Sequence, residues 1–118
     1  ANIALPDNFI VKDEGVRLII SNQNGMIIFS RNGTQFNSLE NYISDFDINH
    51  KTITSTEQRI FINSYPSAAR IYTYPGSTSA GDKIYLIYVG EAVYHISTSS
   101  ETLYDDLDQI AQSFKYTP

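Results

Sequence analysis

Two kinds of apolar pattern alternate along the chain: short β-branched runs bounded by Gly, Asn and Pro, and two stretches in which apolar residues recur every three or four positions. Phe9, Ile10 and Val11 mark a first strand over residues 8–12, after Pro6. Residues 16–21 and 26–31 are apolar runs separated by Asn22-Gln23-Asn24-Gly25. Asn-Gly between two such runs is the strongest short-range hairpin signal. Val16, Leu18 and Ile20 fall on one face of the first run and Ile19 on the other. Apolar residues on both faces predict strands that are central in their sheet and covered from both sides.

The period then changes. Leu39, Tyr42, Ile43 and Phe46 lie at i, i+3, i+4 and i+7, which predicts a short helix over residues 38–45 with one apolar face. Asn37 and Glu40 have the spacing of a capping box, with an amide in place of the hydroxyl. Residues 52–57 are weakly strand-like and 58–64 more clearly so. Tyr65-Pro66-Ser67 reads as a turn, and a strand follows over 69–74. Residues 75–82, rich in Pro, Gly and Ser, form a long hairpin connection and no domain linker. Residues 83–89 and 92–97 pair across Gly90-Glu91 as a tight hairpin, and apolar residues on both faces of 83–89 place it near the sheet centre. Ser99 or Ser100 is placed to cap a last helix. There Leu103, Leu107, Ile110, Ala111 and Phe114 form a 3.6-residue stripe, with Asp105, Asp106, Asp108, Gln109 and Gln112 mostly facing water.

Helices separated by a run of strands cannot be the crossovers of a regular parallel sheet. The expected class is α+β: an antiparallel sheet with a short helix after the first hairpin and a longer C-terminal helix packed on it. At 118 residues, 42% of them hydrophobic, the chain reads as one domain with a core of its own. It begins at Ala1 without Met, so the expectation is a domain trimmed from a longer precursor.

Composition narrows the chemistry. A net charge of −5 with eight basic residues, none adjacent to another, argues against a nucleic-acid partner, which needs clustered Lys and Arg. An anionic membrane surface is disfavoured for the same reason, and no apolar stretch is long enough to span a bilayer. Zero cysteine excludes disulfide and thiolate–metal chemistry. Ser, Thr and Asn supply about a quarter of the chain, a surface more usual outside the cytoplasm, so an extracytoplasmic setting is expected.

Several groups of residues have the chemistry of a site. Asp45, Asp47 and Asn49 imitate the first ligands of an EF-hand loop, but His50 stands where Gly is required and Thr56 where a bidentate Glu belongs. A helix end followed by a polar loop, anchored by Phe46 and Ile48, is the expectation there. Asp105 and Asp108 share a face, yet two carboxylates are too few for a cation site, and carboxylates near a helix start suit its dipole. His50 and His95 are the only histidines. No Gly-x-Ser-x-Gly and no Gly-Lys-Ser/Thr ending accompanies them, so His95 reads as a structural residue. Asn32-Gly33-Thr34 has the form of a glycosylation sequon. No catalytic, cofactor or metal residues are assigned. Tyrosine is the densest feature, with nine in the chain. Tyr72, Tyr74, Tyr85 and Tyr94 on the central strands are the candidate interaction surface, because Tyr combines apolar area with a polar tip; ordinary packing is the competing reading.

Several segments in this order resemble the PsbP-like family, which includes the lumenal extrinsic subunit of photosystem II and the nuclear Ran-binding proteins that share its fold. They are Leu5-Pro6-Asp7-Asn8-Phe9, Phe36-Asn37-Ser38-Leu39-Glu40-Asn41-Tyr42, the stretch from Ile62 through Tyr65-Pro66-Ser67 to Arg70, Tyr85-Leu86-Ile87-Tyr88-Val89-Gly90, and the last helix closing in Ser113-Phe114-Lys115-Tyr116. The chain departs from the family pattern in lacking a Trp after Pro6. The resemblance implies a PsbP-like fold and an extracytoplasmic bacterial domain, of a kind found as lipoproteins or in larger envelope proteins. It places no partner-binding residue, and neither the photosystem role nor the Ran-binding role carries over. The functional expectation is a non-enzymatic interaction or scaffold domain with a protein partner. The alternatives are a small-ligand or carbohydrate-binding module, marked by a concave pocket lined with Tyr, and a hydrolase, marked by a convergent acid–base pair.

Overall fold

The computed structural model describes residues 1–49, 53–74, 76, 78 and 80–117, with the backbone alone for 53–55. The elements run β1 (Ile10–Asp13), β2 (Arg17–Asn22), β3 (Gly25–Gly33), α1 (Leu39–Asn49), β4 (Ile53–Ile62), β5 (Tyr65–Thr73), β6 (Asp82–Tyr88), β7 (Ala92–Thr98), one 3-10 turn (Glu101–Leu103) and α2 (Tyr104–Gln112). The strands form a seven-stranded sheet in the order β1-β2-β3-β7-β6-β5-β4. Every neighbouring pair is antiparallel. Two meanders, β1-β2-β3 and β4-β5-β6-β7, meet where β3 zips onto β7 from Ile27↔Thr98 to Gly33↔Ala92.

The middle strands are apolar on both faces and are covered on both. Tyr85 and Ile87 of β6, with Tyr94 and Ile96 of β7, meet Leu103, Leu107, Ile110, Ala111 and Phe114 from α2 and its flanks. Ile84 and Leu86 of β6, with Val93 of β7, meet Leu39 and Ile43 of α1. The predicted stripe of the last helix is wholly buried, Phe114 among its largest side chains. The N-terminal segment ties this side down: Asn2 and Lys115 exchange backbone hydrogen bonds of 2.7 and 2.8 Å.

Several local expectations are corrected. The C-terminal α-helix has nine residues and α1 eleven, so the last helix is not the longer one. A 3-10 turn takes its first residues, and α1 continues to Asn49, whose side-chain amide donates to the Asp45 carbonyl at 2.9 Å. The N-cap of α1 is Ser38, whose Oγ accepts from the Asn41 N–H at 3.1 Å. Asn37 instead accepts from the Asn41 side chain, and Glu40 pairs with Arg59. Neither predicted serine caps the last helix through its side chain.

Residues 53–62 form one strand with a bulge between Thr54 and Thr56. The turn after it is Asn63-Ser64, both at positive φ, and Tyr65-Pro66-Ser67 belongs to β5. Pro66 is tolerated because it opposes Phe61 at the non-hydrogen-bonded pair next to the turn, and β6 pairing begins only at Ser67. The predicted centrality of residues 16–21 is also wrong: β2 lies second from the edge, and Val16 is 83% exposed. Two-faced hydrophobicity reports potential cover: Ile20 is reached by the α2-side core, while Val16, four residues earlier on the same face, lies beyond it. His50, Lys51 and Thr52, and Pro75, Ser77 and Ser79 of the predicted connection, lie outside the described residues.

At the β2–β3 turn, Gly25 sits at φ 136°, and a Cβ there would come within 2.1 Å of Ser100 Oγ. The hairpin therefore packs on the approach to α2 only with glycine at this position.

Burial makes α2 the test of this architecture. Phe114→Ala is expected to cost about 3–5 kcal/mol, from lost transfer energy and the cavity left behind. Gln109→Ala, on the water-facing side of the same helix, is expected to stay within about 0.5 kcal/mol. Urea denaturation of the two variants checks both.

Candidate functional site

Strand alternation sorts the side chains of β5, β6 and β7 between the two helices. Ala68, Arg70 and Tyr72 of β5, Ile84 and Leu86 of β6, and Val93 and His95 of β7 face α1, while Ala69, Tyr85, Ile87, Tyr94 and Ile96 face α2. The α1 side holds the polar and aromatic groups that ordinary packing does not require.

Arg70 of β5 is the centre of that side, and it is only 3% exposed. Its guanidinium grips Asp47 in a two-pronged pair, Nη1 to Oδ1 at 2.8 Å and Nη2 to Oδ2 at 2.9 Å. Nη1 also donates to Tyr72 Oη at 2.9 Å, and Nε lies 2.6 Å from Glu57 Oε2. Burial works against the charge, but the Asp47 hydrogen bond and the neighbouring carboxylates outweigh it and hold the Arg70 pKa above its ordinary value. Asp47 sits in the last turn of α1, where a carboxylate meets the negative end of the helix dipole. Arg70 offsets that repulsion and fastens the helix end to the sheet.

Beyond that pin no described helix covers the sheet face. α1 is about 16 Å long at 1.5 Å per residue, and its last sheet-facing ring is Phe46. Past it opens a cleft of about 270 Å³ lined by Met26 and Ile28 of β3, Ile84 of β6, Phe46, Tyr72, Tyr74 and Asp82, with Ser97, Thr98 and Ser99 at one end of β7. Phe46 and Tyr72 stack with centroids 5.9 Å apart. Tyr74, 46% exposed, donates from its hydroxyl to Asp82 Oδ2 at 2.7 Å. Burial raises the Tyr72 pKa to about 12, and the Asp82 hydrogen bond raises that of Tyr74. Both phenols are therefore protonated donors at neutral pH.

The backbone that frames the cleft is constrained. Gly81, at φ 100°, brings the chain so close to β5 that a Cβ would lie 2.2 Å from the Tyr72 carbonyl oxygen. The Tyr104 hydroxyl donates to the Gly81 carbonyl, linking this corner to α2.

The four candidate tyrosines are not brought together. Tyr72, Tyr85 and Tyr94 are buried at 6, 4 and 5% exposure, Tyr72 toward α1 and the other two toward α2. Tyr74 alone of the four is exposed, and only Tyr72 and Tyr74 share a site. Asp45, Asp47 and Asn49 lie on α1 and not in a loop. Ile48, expected as an anchor, is 81% exposed, because the helix continues and turns that position outward. Asp108, expected to face water, accepts from Tyr85 Oη at 2.6 Å and pairs with Lys83 at 2.7 Å; burial and this bond raise the Tyr85 pKa. Asn32 lies within β3, opposite Val93.

His95 is half-buried on the α1 side, its Nε2 2.6 Å from Tyr42 Oη, with Tyr42 and Phe46 edge-on to its ring. Among the described residues no three His, Cys, Asp or Glu gather as metal ligands, and no helix is long and apolar enough to cross a membrane. A second apolar recess of about 390 Å³ lies at the other end of α1, between Leu39, Ile60, Phe61, Pro66 and Tyr88, beside the Glu40–Arg59 ion pair. Arg70, Asp47 and Asp82 were missed as site residues: their partners lie 23 or 8 positions away, and no local motif marks such pairs.

No protein-family model matches the chain, and none of the curated proteins matches it.

The buried phenols set the alkaline behaviour. Tyr72 has a folded pKa of about 12, against about 10 when unfolded. Its protonated form therefore favours the fold fully below pH ~10, and that contribution is lost as the pH rises toward ~12. Stability is expected to fall over this window, and Tyr72→Phe is expected to make the fall shallower. Urea midpoints measured from pH 9 to 11.5, beside absorbance titration of the phenolates, check this.

Proposed function

We propose that the protein is a non-catalytic binding domain and that the uncovered cleft beside α1 is its binding site. This is the small-ligand reading, favoured over a flat scaffold surface by one observation: the exposed end of the sheet is concave, apolar and walled by Phe46, Tyr72 and Tyr74, with few polar groups at its rim. Ligand sites have this composition, hydrophobic and aromatic walls with a small number of placed polar atoms. Among the described lining residues the ionisable side chains are Tyr72, Tyr74 and Asp82. Two phenols held protonated and a carboxylate supply no base paired to a nucleophile, which supports binding over hydrolysis.

The PsbP-like assignment and an extracytoplasmic setting belong to the same proposal. Their support is the order of the quoted segments and the Tyr-, Ser-, Thr- and Asn-rich composition.

Titration with 2-phenylethanol, followed by ¹H–¹⁵N spectra, tests the binding site. Shifts are expected to cluster at Met26, Ile28, Tyr74, Asp82, Ile84 and Ser97. Tyr74→Ala is expected to weaken binding about tenfold, the loss of roughly 1.4 kcal/mol, while changing stability by less than about 1 kcal/mol because the ring is half exposed. Shifts scattered over the surface, or confined to the α2 side, overturn the assignment.

A further inference from the structure

The charges around the cleft are unevenly matched. Arg70, which touches the cleft through Tyr72, is paired with Asp47 and Glu57. Lys83, next to Asp82 in β6, points to the other face and pairs with Asp108. Asp82 accepts a hydrogen bond from Tyr74, and among the described residues no cationic side chain pairs with it. A carboxylate thus stands at the mouth of an aromatic recess with its charge unmatched.

Resting on the binding role proposed above, we infer that the ligand is a small organic cation: an ammonium group carried on an aromatic or compact apolar body. Three features fit that chemistry. The half-exposed Tyr74 ring attracts an ammonium group through its quadrupole, Phe46 and Tyr72 being stacked on each other with Arg70 over Tyr72. The Asp82 carboxylate supplies the opposite charge, with Tyr74 Oη holding one of its oxygens at 2.7 Å. Apolar side chains from β3 and β6 supply contact for the body, and about 270 Å³ exceeds the ~150 Å³ that suffices for benzene, leaving room for a short aminoalkyl chain. An anion of the same shape meets the Asp82 charge with nothing to balance it. The net charge of −5 further raises the local concentration of cations over anions.

Calorimetry on the whole 118-residue chain with three matched probes tests the inference: 2-phenylethylammonium, 2-phenylethanol and 3-phenylpropionate. The cation is expected to bind about tenfold more tightly than the alcohol, with the carboxylate weakest, and the preference is expected to shrink with added salt. Asp82→Asn keeps an acceptor for Tyr74. It is expected to remove the preference, bringing the cation and the alcohol to within about twofold of each other. Equal binding of cation and alcohol by the parent, or a preference unchanged in Asp82→Asn, overturns the cationic ligand and leaves the aromatic site standing. Failure of all three probes to bind the correctly folded parent overturns both.

Discussion

The structure rests on one constraint: β6 and β7 at the middle of the sheet, and β5 beside them, carry apolar side chains on both faces, so both faces need a lid. Ile87 and Leu86 are adjacent in sequence, point to opposite sides and are both fully buried. Burying each such side chain is worth about 1.5–3 kcal/mol, so neither side can be left open without losing a large part of a total of about 5–15 kcal/mol. Two short helices meet the requirement, and they meet it unequally. On one side α2 is joined by Ile3, Phe9, Phe29, Tyr65 and Tyr116 around the core. On the other, α1 brings its own Tyr42 and Phe46 and is joined by Tyr88, and the cleft opens where this cover ends.

Charge decides where the shorter cover stops. An acidic residue in the final turn of a helix is normally a mild liability. Here Asp47 is held by a guanidinium rising from the sheet, which turns the liability into an anchor. A buried ion pair of this kind is weak as a source of net stability, yet leaving one partner alone is costly. Its structural effect is therefore to fix position: Arg70 sets the end of α1, the stack of Phe46 on Tyr72 follows from it, and those rings become a wall. Arg70 is engaged by Asp47 and Glu57, and among the described residues no cationic side chain pairs with Asp82. The same network thus shapes the recess and gives it its sign.

Much of this was legible in the pattern of residues. The hairpins at residues 22–25 and 90–91, the two helices, the antiparallel sheet and the inward stripe ending at Phe114 all follow from periodicity and turn chemistry. These are short-range signals that report local geometry directly. Strand order was not legible at β2, because a run such as Val16–Leu18–Ile20 records capacity for burial and not what arrives to cover it. The turn at Asn63-Ser64 was masked by Pro66, a residue usually found in turns but here set in a non-hydrogen-bonded strand position. The site was half legible. Tyr72 and Tyr74 stood out by type and alternation, but Tyr85 and Tyr94 alternate in the same way onto the other face. Phe46 and Asp82 gain their meaning only when α1 and the start of β6 meet at the same recess.

The central claim is that the part of the sheet left bare by α1 receives a ligand, between the rings of Phe46, Tyr72 and Tyr74. Intermolecular nuclear Overhauser effects between the ring protons of bound 2-phenylethylammonium and the isoleucine methyls test it most directly, because isoleucines stand on both faces of the sheet. The account predicts contacts to Ile28 and Ile84 and none to Ile87, Ile96 or Ile110. Contacts to the methyls under α2, or a bound ligand that reaches neither Ile28 nor Ile84, would contradict it.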